Sequence, residues 1–311
     1  MRSGQNLKRG YTGVNGIRFA LLLGLIVVSQ IFACADDQPE RDRLVVFSGI
    51  DPVAGVAENL GGDRIELHTL LKPGETPHTF SPSPRQMTLL SQADLYLKAG
   101  LSFEKRIMAK IAISRKVRIV DLTAGIAKRH FTAGEEGDHG SQHDHGRHDP
   151  HIWTSPENLK KMAKNITNAL IKSDPADSVY YRNNCRDYIQ RADSVHEMIS
   201  SLLKPFAGYK IYAFHPAFGY FADFYGMEQV AVEMTGKQPS PGHLKRIIEQ
   251  ARADNVRMIF VQPQFDQKSA QTIAEAIEAE VIAVDPLARD MLAVLAKIAE
   301  VIVSNSGVND G

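Results

Sequence analysis

Apolar positions along the chain fall into short runs of two kinds. Leu44-Val-Val-Phe-Ser-Gly-Ile50 is nearly continuous and rich in β-branched residues, the pattern of a strand buried on both faces of a parallel sheet. Asp51-Pro52 follows and predicts an N-cap and an N1 proline for a helix ending near Gly61-Gly62. The same alternation then repeats. Strands are expected over 64–71, 94–99 and 117–121, with helices near 85–92 and over 103–113. Strand alternating with helix predicts a parallel sheet covered by helices.

After Leu122 the pattern stops for about 28 residues, a length at which structureless loops inside compact domains are often functional. Within this gap the segment 134–150 contains Gly, Asp, Glu and His and no apolar residue. Such a stretch buries too little surface to offset its ordering entropy. Helical periodicity returns at Ser155-Pro156 and runs to about Ile171. Asp174-Pro175 opens a second helix expected to continue unbroken to about Leu203. Tyr181, Cys185, Tyr188, Ala192, Val195, Ile199 and Leu202 form one apolar stripe along it. About 29 residues at ~1.5 Å each make a rod of roughly 40 Å, long enough to touch two lobes. A second alternating half follows, with strands over 209–214, 227–232, 257–261 and 281–284. Its helices are expected over 217–225, 240–253, 267–280 and 289–303. The fold class is therefore α/β: two lobes, each a parallel sheet flanked by helices, joined by a long rigid helix.

Composition narrows the function more than the fold. The 311 residues carry 36 basic and 36 acidic groups, which excludes a strongly basic nucleic-acid binder. Two cysteines exclude a disulfide scaffold and a four-cysteine zinc site. The balance is uneven, because residues 1–33 hold Arg2, Lys8, Arg9 and Arg18 and no acid. The rest of the chain has 32 basic and 36 acidic groups, a mild net charge of −4. The basic start precedes about ten apolar residues, 19–28, too few for the ~20 of a spanning helix. That order is the order of a secretory signal. Ile31-Phe32-Ala33-Cys34 resembles a bacterial lipobox, which predicts cleavage before Cys34 and its acylation. An ordinary signal peptide with an unmodified cysteine is the alternative, and the chain is exported in either case. Residues 34–43 read as a polar tether.

Ligands of open α/β sheets bind beyond the carboxyl ends of strands, and clefts between lobes are favoured. Four polar residues occupy such positions: His78 in Pro73-Gly-Glu-Thr-Pro-His78, His151 in Asp149-Pro-His-Ile-Trp153, His215 in Phe214-His-Pro216, and Asp285 in Val284-Asp-Pro286. Three imidazoles and a carboxylate suit tetrahedral zinc. Spacing alone does not gather them, and each taken singly is an ordinary structural residue. His139, His143, His145 and His148 in the histidine-rich loop suit weak metal capture. His243 opens a helix as a capping or packing residue, and His68 and His196 read as surface or core-edge groups. The chain has no His-Glu-x-x-His helix, no Gly-x-Ser-x-Gly elbow and no phosphate-binding glycine loop. A non-enzymatic role is expected.

The phrases Pro73-Gly-Glu-Thr-Pro-His78, Phe80-Ser-Pro-Ser-Pro84, Asp149-Pro-His-Ile-Trp153, Asp174-Pro with Tyr181-Arg-Asn-Asn184, and Gly236-Lys-Gln-Pro-Ser-Pro-Gly-His243 occur in that order. Together they resemble the zinc/manganese solute-binding lipoproteins of ABC importers, over roughly residues 44–303. Gln238 stands where many relatives have Glu. The resemblance implies one metal in the interlobe cleft, with His78 and His151 from the first lobe and His215 and Asp285 from the second. It also implies an ABC permease and its ATPase as partners, a membrane contact through lipidated Cys34, and a monomer. The bounds it suggests are a signal peptide 1–33, a tether 34–43, a first lobe 44–173, a linker helix 174–204 and a second lobe 205–311. Manganese-preferring members usually carry Glu at the position of His215. A third imidazole here points to Zn2+ over Mn2+, because manganese prefers oxygen ligands. A periplasmic or surface zinc buffer or adhesin is the alternative role.

Overall fold

In the computed structural model the described residues are 43–114, 116–131, 148–233, 239–265 and 267–305. The signal segment, Cys34, and His139, His143 and His145 lie outside them.

The first half begins with β1 (Leu44–Ser48) and α1 (Asp51–Gly61), then β2 (Ile65–Thr69), α2 (Pro84–Leu90), β3 (Leu95–Lys98), α3 (Glu104–Ser114) and β4 (Arg118–Asp121). Two helices follow, α4 (Pro156–Ser173) and α5 (Ser178–Leu203). The second half runs β5 (Lys210–Ala213), α6 (Gly219–Phe224), β6 (Glu228–Ala231), α7 (Pro241–Ala253), β7 (Met258–Val261), α8 (Gln267–Ile277), β8 (Glu280–Ala283) and α9 (Met291–Asn305). The strands make two sheets of four, ordered β2-β1-β3-β4 and β6-β5-β7-β8. Every strand pairing in both is parallel. The two-lobed α/β class read from the alternation is the observed one.

Parallel pairing explains the composition of the strands. Val46, Phe47, Leu95, Tyr96, Leu97 and all four residues of β7 are buried, since helices cover both faces and leave no solvated side for polar residues. One hydrophobic core runs from the first sheet through α1, α4 and α5 into Phe218, Phe221 and Phe260 of the second half. A smaller cluster of Tyr212, Phe214, Val232, Ile247, Ile259 and Ile273 lies beneath α7 and α8.

The stripe on α5 is buried as its spacing requires, at Tyr181, Cys185, Tyr188, Ala192 and Ile199. Near its start Asn184 Nδ2 donates to Leu60 O at 3.0 Å, and further along His196 meets the ring and hydroxyl of Tyr225. The helix thus touches elements of both halves. Its entry differs from expectation. Residues Pro175–Asp177 form a 3-10 turn, and Asp174 does not cap it; the Asp174 carboxylate accepts from Tyr181 Oη at 2.9 Å instead. Asp51 likewise is no N-cap: the cap position is Ile50, and Asp51 pairs with Arg289 at 3.2 Å. Both acids are engaged by side chains further along the chain. Among the described residues no helix is long and apolar enough to cross a membrane.

Candidate metal centre

The carboxyl ends of the parallel strands carry the functional side chains. His78 lies in the loop after β2, and that loop is held at both ends. Ser83 and Gln86 form a reciprocal capping box at the start of α2. Gln86 Nε2 also donates to Leu70 O at 2.7 Å, tying the loop's far end to its strand. His215 follows β5, and its backbone is clamped by a single side chain. Gln262 Oε1 accepts from His215 N and Gln262 Nε2 donates to His215 O, both at 3.0 Å. His151 sits in the tight turn before α4, where Asp149 Oδ1 accepts from His151 N at 2.9 Å.

These three imidazoles meet. The rings of His78 and His215 have centroids 4.8 Å apart, and those of His151 and His215 are 5.2 Å apart. His78 Nε2 and His215 Nε2 are separated by 3.3 Å. Two nitrogens each ~2.0–2.1 Å from a tetrahedral zinc ion stand about 3.3 Å apart. Phe265 stacks on His215 at 4.5 Å and fixes the plane of its ring. Together with Trp153, Gln264 and Leu287 the imidazoles line a cavity of about 260 Å³. Among the described residues that line it there is no carboxylate. Among the described residues no three or more His, Cys, Asp or Glu side chains stand close enough together to hold a metal ion as they are placed.

Two carboxylates stand behind the imidazoles. Asp149 Oδ1 meets His151 Nδ1 at 2.7 Å, and Glu233 Oε2 meets His215 Nδ1 at 2.8 Å. A carboxylate holding the Nδ1 proton leaves the Nε2 lone pair free, the arrangement that orients metal-ligating histidines and raises their basicity. Asp149 and Glu233 are 2% and 1% exposed, so neither charge is screened by water. Asp149 is balanced by Arg129, whose Nη1 lies 3.3 Å from its second oxygen. Arg129 also reaches Asp223 of α6 at 3.0 Å, which ties the histidine turn to the second half. Protonation of His215 and His78 is opposed. Burial, with the charges of His151 and His78, holds His215 well below the ordinary histidine range. His78 is lowered to about 4, chiefly by desolvation and secondarily by His151.

The expected fourth ligand is not brought into the cavity. Asp285 lines a separate small pocket with Asp51, Lys72 and Arg289. Its Oδ1 accepts from Gln264 Nε2 and from Leu287 N, both at 2.8 Å. His148 of the histidine-rich loop stands on the rim of the imidazole cavity. It forms an isolated antiparallel bridge with His130, their rings 4.2 Å apart. His243 is a packing group, with Nε2 3.1 Å from Val232 O. His68 stacks on Phe47. Sequence reasoning missed Glu233, Gln262, Gln264 and Phe265. Only Asp149 carried a local signal, two residues before the histidine it orients.

Fold and cleft define a class, the two-lobed α/β binding protein with an imidazole-lined site between parallel sheets. The family model described as zinc-uptake complex component A, periplasmic (ZnuA), matches residues 46–304, and the chain belongs to that family of metal-binding substrate-binding proteins. The family is one of solute-binding receptors and not of enzymes. A crystal structure of ZnuA is similar over 85% of this chain and 99% of its own, with 30% identity and a TM-score of 0.77. A ZnuA deletion mutant with zinc bound is similar over 85% and 98%, with 30% identity and a TM-score of 0.76. Among curated relatives, the manganese ABC transporter substrate-binding lipoprotein PsaA of Streptococcus anginosus is 27% identical over 82% of this chain and 84% of its own. The lipoprotein FimA of Streptococcus parasanguinis, a metal ABC transporter protein, is 27% identical over 82% of each.

Proposed function

We propose that this protein is the extracytoplasmic receptor that captures Zn2+ between its lobes and delivers it to an ABC permease driven by a separate ATPase. His78, His151 and His215 are the ligands in this reading. The observation that carries it is the donor set of the cavity: the imidazoles of His78, His151 and His215, with His148 a fourth histidine in the lining, and no carboxylate among the described lining residues. Imidazole nitrogen suits zinc, whereas manganese prefers oxygen. Zinc is cargo here and not a catalytic cofactor. Asp149 and Glu233, the nearest carboxylates, are engaged behind the rings, so neither is placed as a general base for a metal-bound water.

Lipidated Cys34 anchors the receptor at the membrane, the 34–43 segment gives it reach, and it acts as a monomer. The histidine-rich loop adds weak capture through His139, His143, His145 and His148. Manganese is the second reading, supported by relatives named for that metal and by Asp285 in the adjoining pocket. Elemental analysis of the purified protein, followed by competitive titration with both metals, tests the proposal. One tightly held zinc per chain, bound far more strongly than manganese, is the expected result. A protein that binds neither metal, or prefers manganese, would overturn it.

A further inference from the structure

Gln264 stands between two compartments. It lines the imidazole cavity and it lines the smaller pocket that holds Asp285. Its Nε2 donates to Asp285 Oδ1 at 2.8 Å, while its Oε1 is buried without a hydrogen-bond partner among the described residues. Turning the amide over would set that oxygen against the carboxylate, so Asp285 itself dictates the orientation. The same Asp285 oxygen also accepts from Leu287 N at 2.8 Å. Two donors therefore hold the carboxylate in the smaller pocket, outside the lining of the imidazole cavity. Phe265, the next residue, stacks on His215, so the Gln264 backbone is pinned to a ligand ring.

We propose that Gln264 is a specificity-determining residue: by retaining Asp285 it keeps the site a three-nitrogen one and denies manganese the carboxylate that a hard cation prefers. This rests on the receptor reading above. The energetic logic is simple. Both hydrogen bonds fall on Asp285 Oδ1, and Asp285 does not line the imidazole cavity. Swinging its other oxygen into that cavity carries Oδ1 away from its donors and leaves Gln264 with a buried, unpaired N–H beside its already unpaired oxygen. Zinc, satisfied by imidazoles, does not need that rearrangement. Manganese gains from it and is penalised by its cost.

The test is a double-variant comparison by competition with zinc and manganese, on the folded full chain. Gln264→Met keeps length and volume but removes the donor, and Asp285→Asn keeps the acceptor for Gln264 and Leu287 but removes the charge. In the otherwise unchanged protein, Asp285→Asn should alter zinc affinity by less than about tenfold, the lower end of what loss of a supporting group does. Gln264→Met should raise manganese affinity by about tenfold or more and zinc affinity by less, and the gain should vanish in the Gln264→Met, Asp285→Asn double variant. Two results overturn the proposal: a zinc loss of tenfold or more from Asp285→Asn alone, or a manganese affinity unmoved by Gln264→Met. Should Gln264→Met fail to fold by circular dichroism, Gln264→Ala makes the same comparison. Failure of the receptor reading is separately visible, since the unchanged protein would then bind neither metal or prefer manganese.

Discussion

His78 Nε2 and His215 Nε2, 137 residues apart in the chain, face each other at 3.3 Å. His215 donates its Nδ1–H to Glu233 Oε2 at 2.8 Å, so its Nε2 carries the lone pair. In the metal-free protein His78 must therefore present Nε2–H to it. A cation between the two rings takes that proton's place, the proton moving to His78 Nδ1, and binding becomes an exchange of a hydrogen bond for two coordinate bonds.

Zinc should accordingly raise the melting temperature at neutral pH. A ligand bound only by the folded form stabilises by ~4 kcal/mol at a thousandfold excess over its Kd. The shift should be smaller at pH 5, where protons compete for the released lone pairs. A thermal scan with and without zinc at both pH values decides this. An unchanged midpoint at neutral pH would rule out a cleft site.

The metal-free protein should lose stability on acidification. His78 and His215 both have folded pKa values below the unfolded one, so unfolding takes up protons and stability falls as pH falls. For His78 the loss begins near 6.5 and runs down to about 4, and His215 extends it lower. Denaturant midpoints at pH 7.5, 6 and 5 should fall steadily, and His78→Gln should flatten the slope. A His78→Gln profile parallel to that of the unchanged protein would contradict the depressed value.

Replacing Glu233 tests the buried carboxylate directly. Glu233→Ala should weaken zinc binding by about 10–100-fold, because the His215 tautomer is no longer held. Glu233→Gln, which can still accept from Nδ1, should lose less. Competitive titration ranks the variants, and equal losses would show that Glu233 acts through its charge alone.

His215→Ala removes one of three imidazoles and should cost zinc affinity several orders of magnitude. His215→Glu supplies an oxygen ligand but sets it beside Glu233, which is 1% exposed, and two buried carboxylates repel. The zinc-over-manganese ratio should therefore narrow most clearly in His215→Glu combined with Glu233→Gln. A ratio unchanged in that pair would remove His215 as the metal selector.

Gly55 marks where α1 meets the segment after Asp285. A Cβ built there would lie 1.9 Å from Arg289 O, a backbone atom that cannot swing aside. Arg289 is also anchored to Glu58 at 2.7 Å and to Asp51 at 3.2 Å. Gly55→Ala should destabilise the protein by at least the ~1–3 kcal/mol typical of overpacking. The fall in melting temperature measures it. A neutral substitution would mean that the two segments separate readily.

Much was legible in the residues alone, for reasons of short range. Alternating buried strands and capped helices specify their own elements, and the carboxyl ends of parallel strands are where His78 and His215 were expected. Asp149 is local to His151, so its orienting role needs only a turn. Other features belong to pairs of strands whose relation is not written in either. Glu233 lies 18 residues beyond His215, and only the pairing of β5 with β6 brings the two side by side. Asp285 had the right chemistry at the right strand end, yet tertiary structure turned it toward Gln264. Which hydrogen-bond donor a carboxylate finds depends on what the neighbouring strand delivers. The chain by itself determined the fold and named the three imidazoles as candidates. The tertiary structure decided their tautomers, and it decided that the carboxylate stands apart, because those depend on contacts between segments that no local pattern encodes.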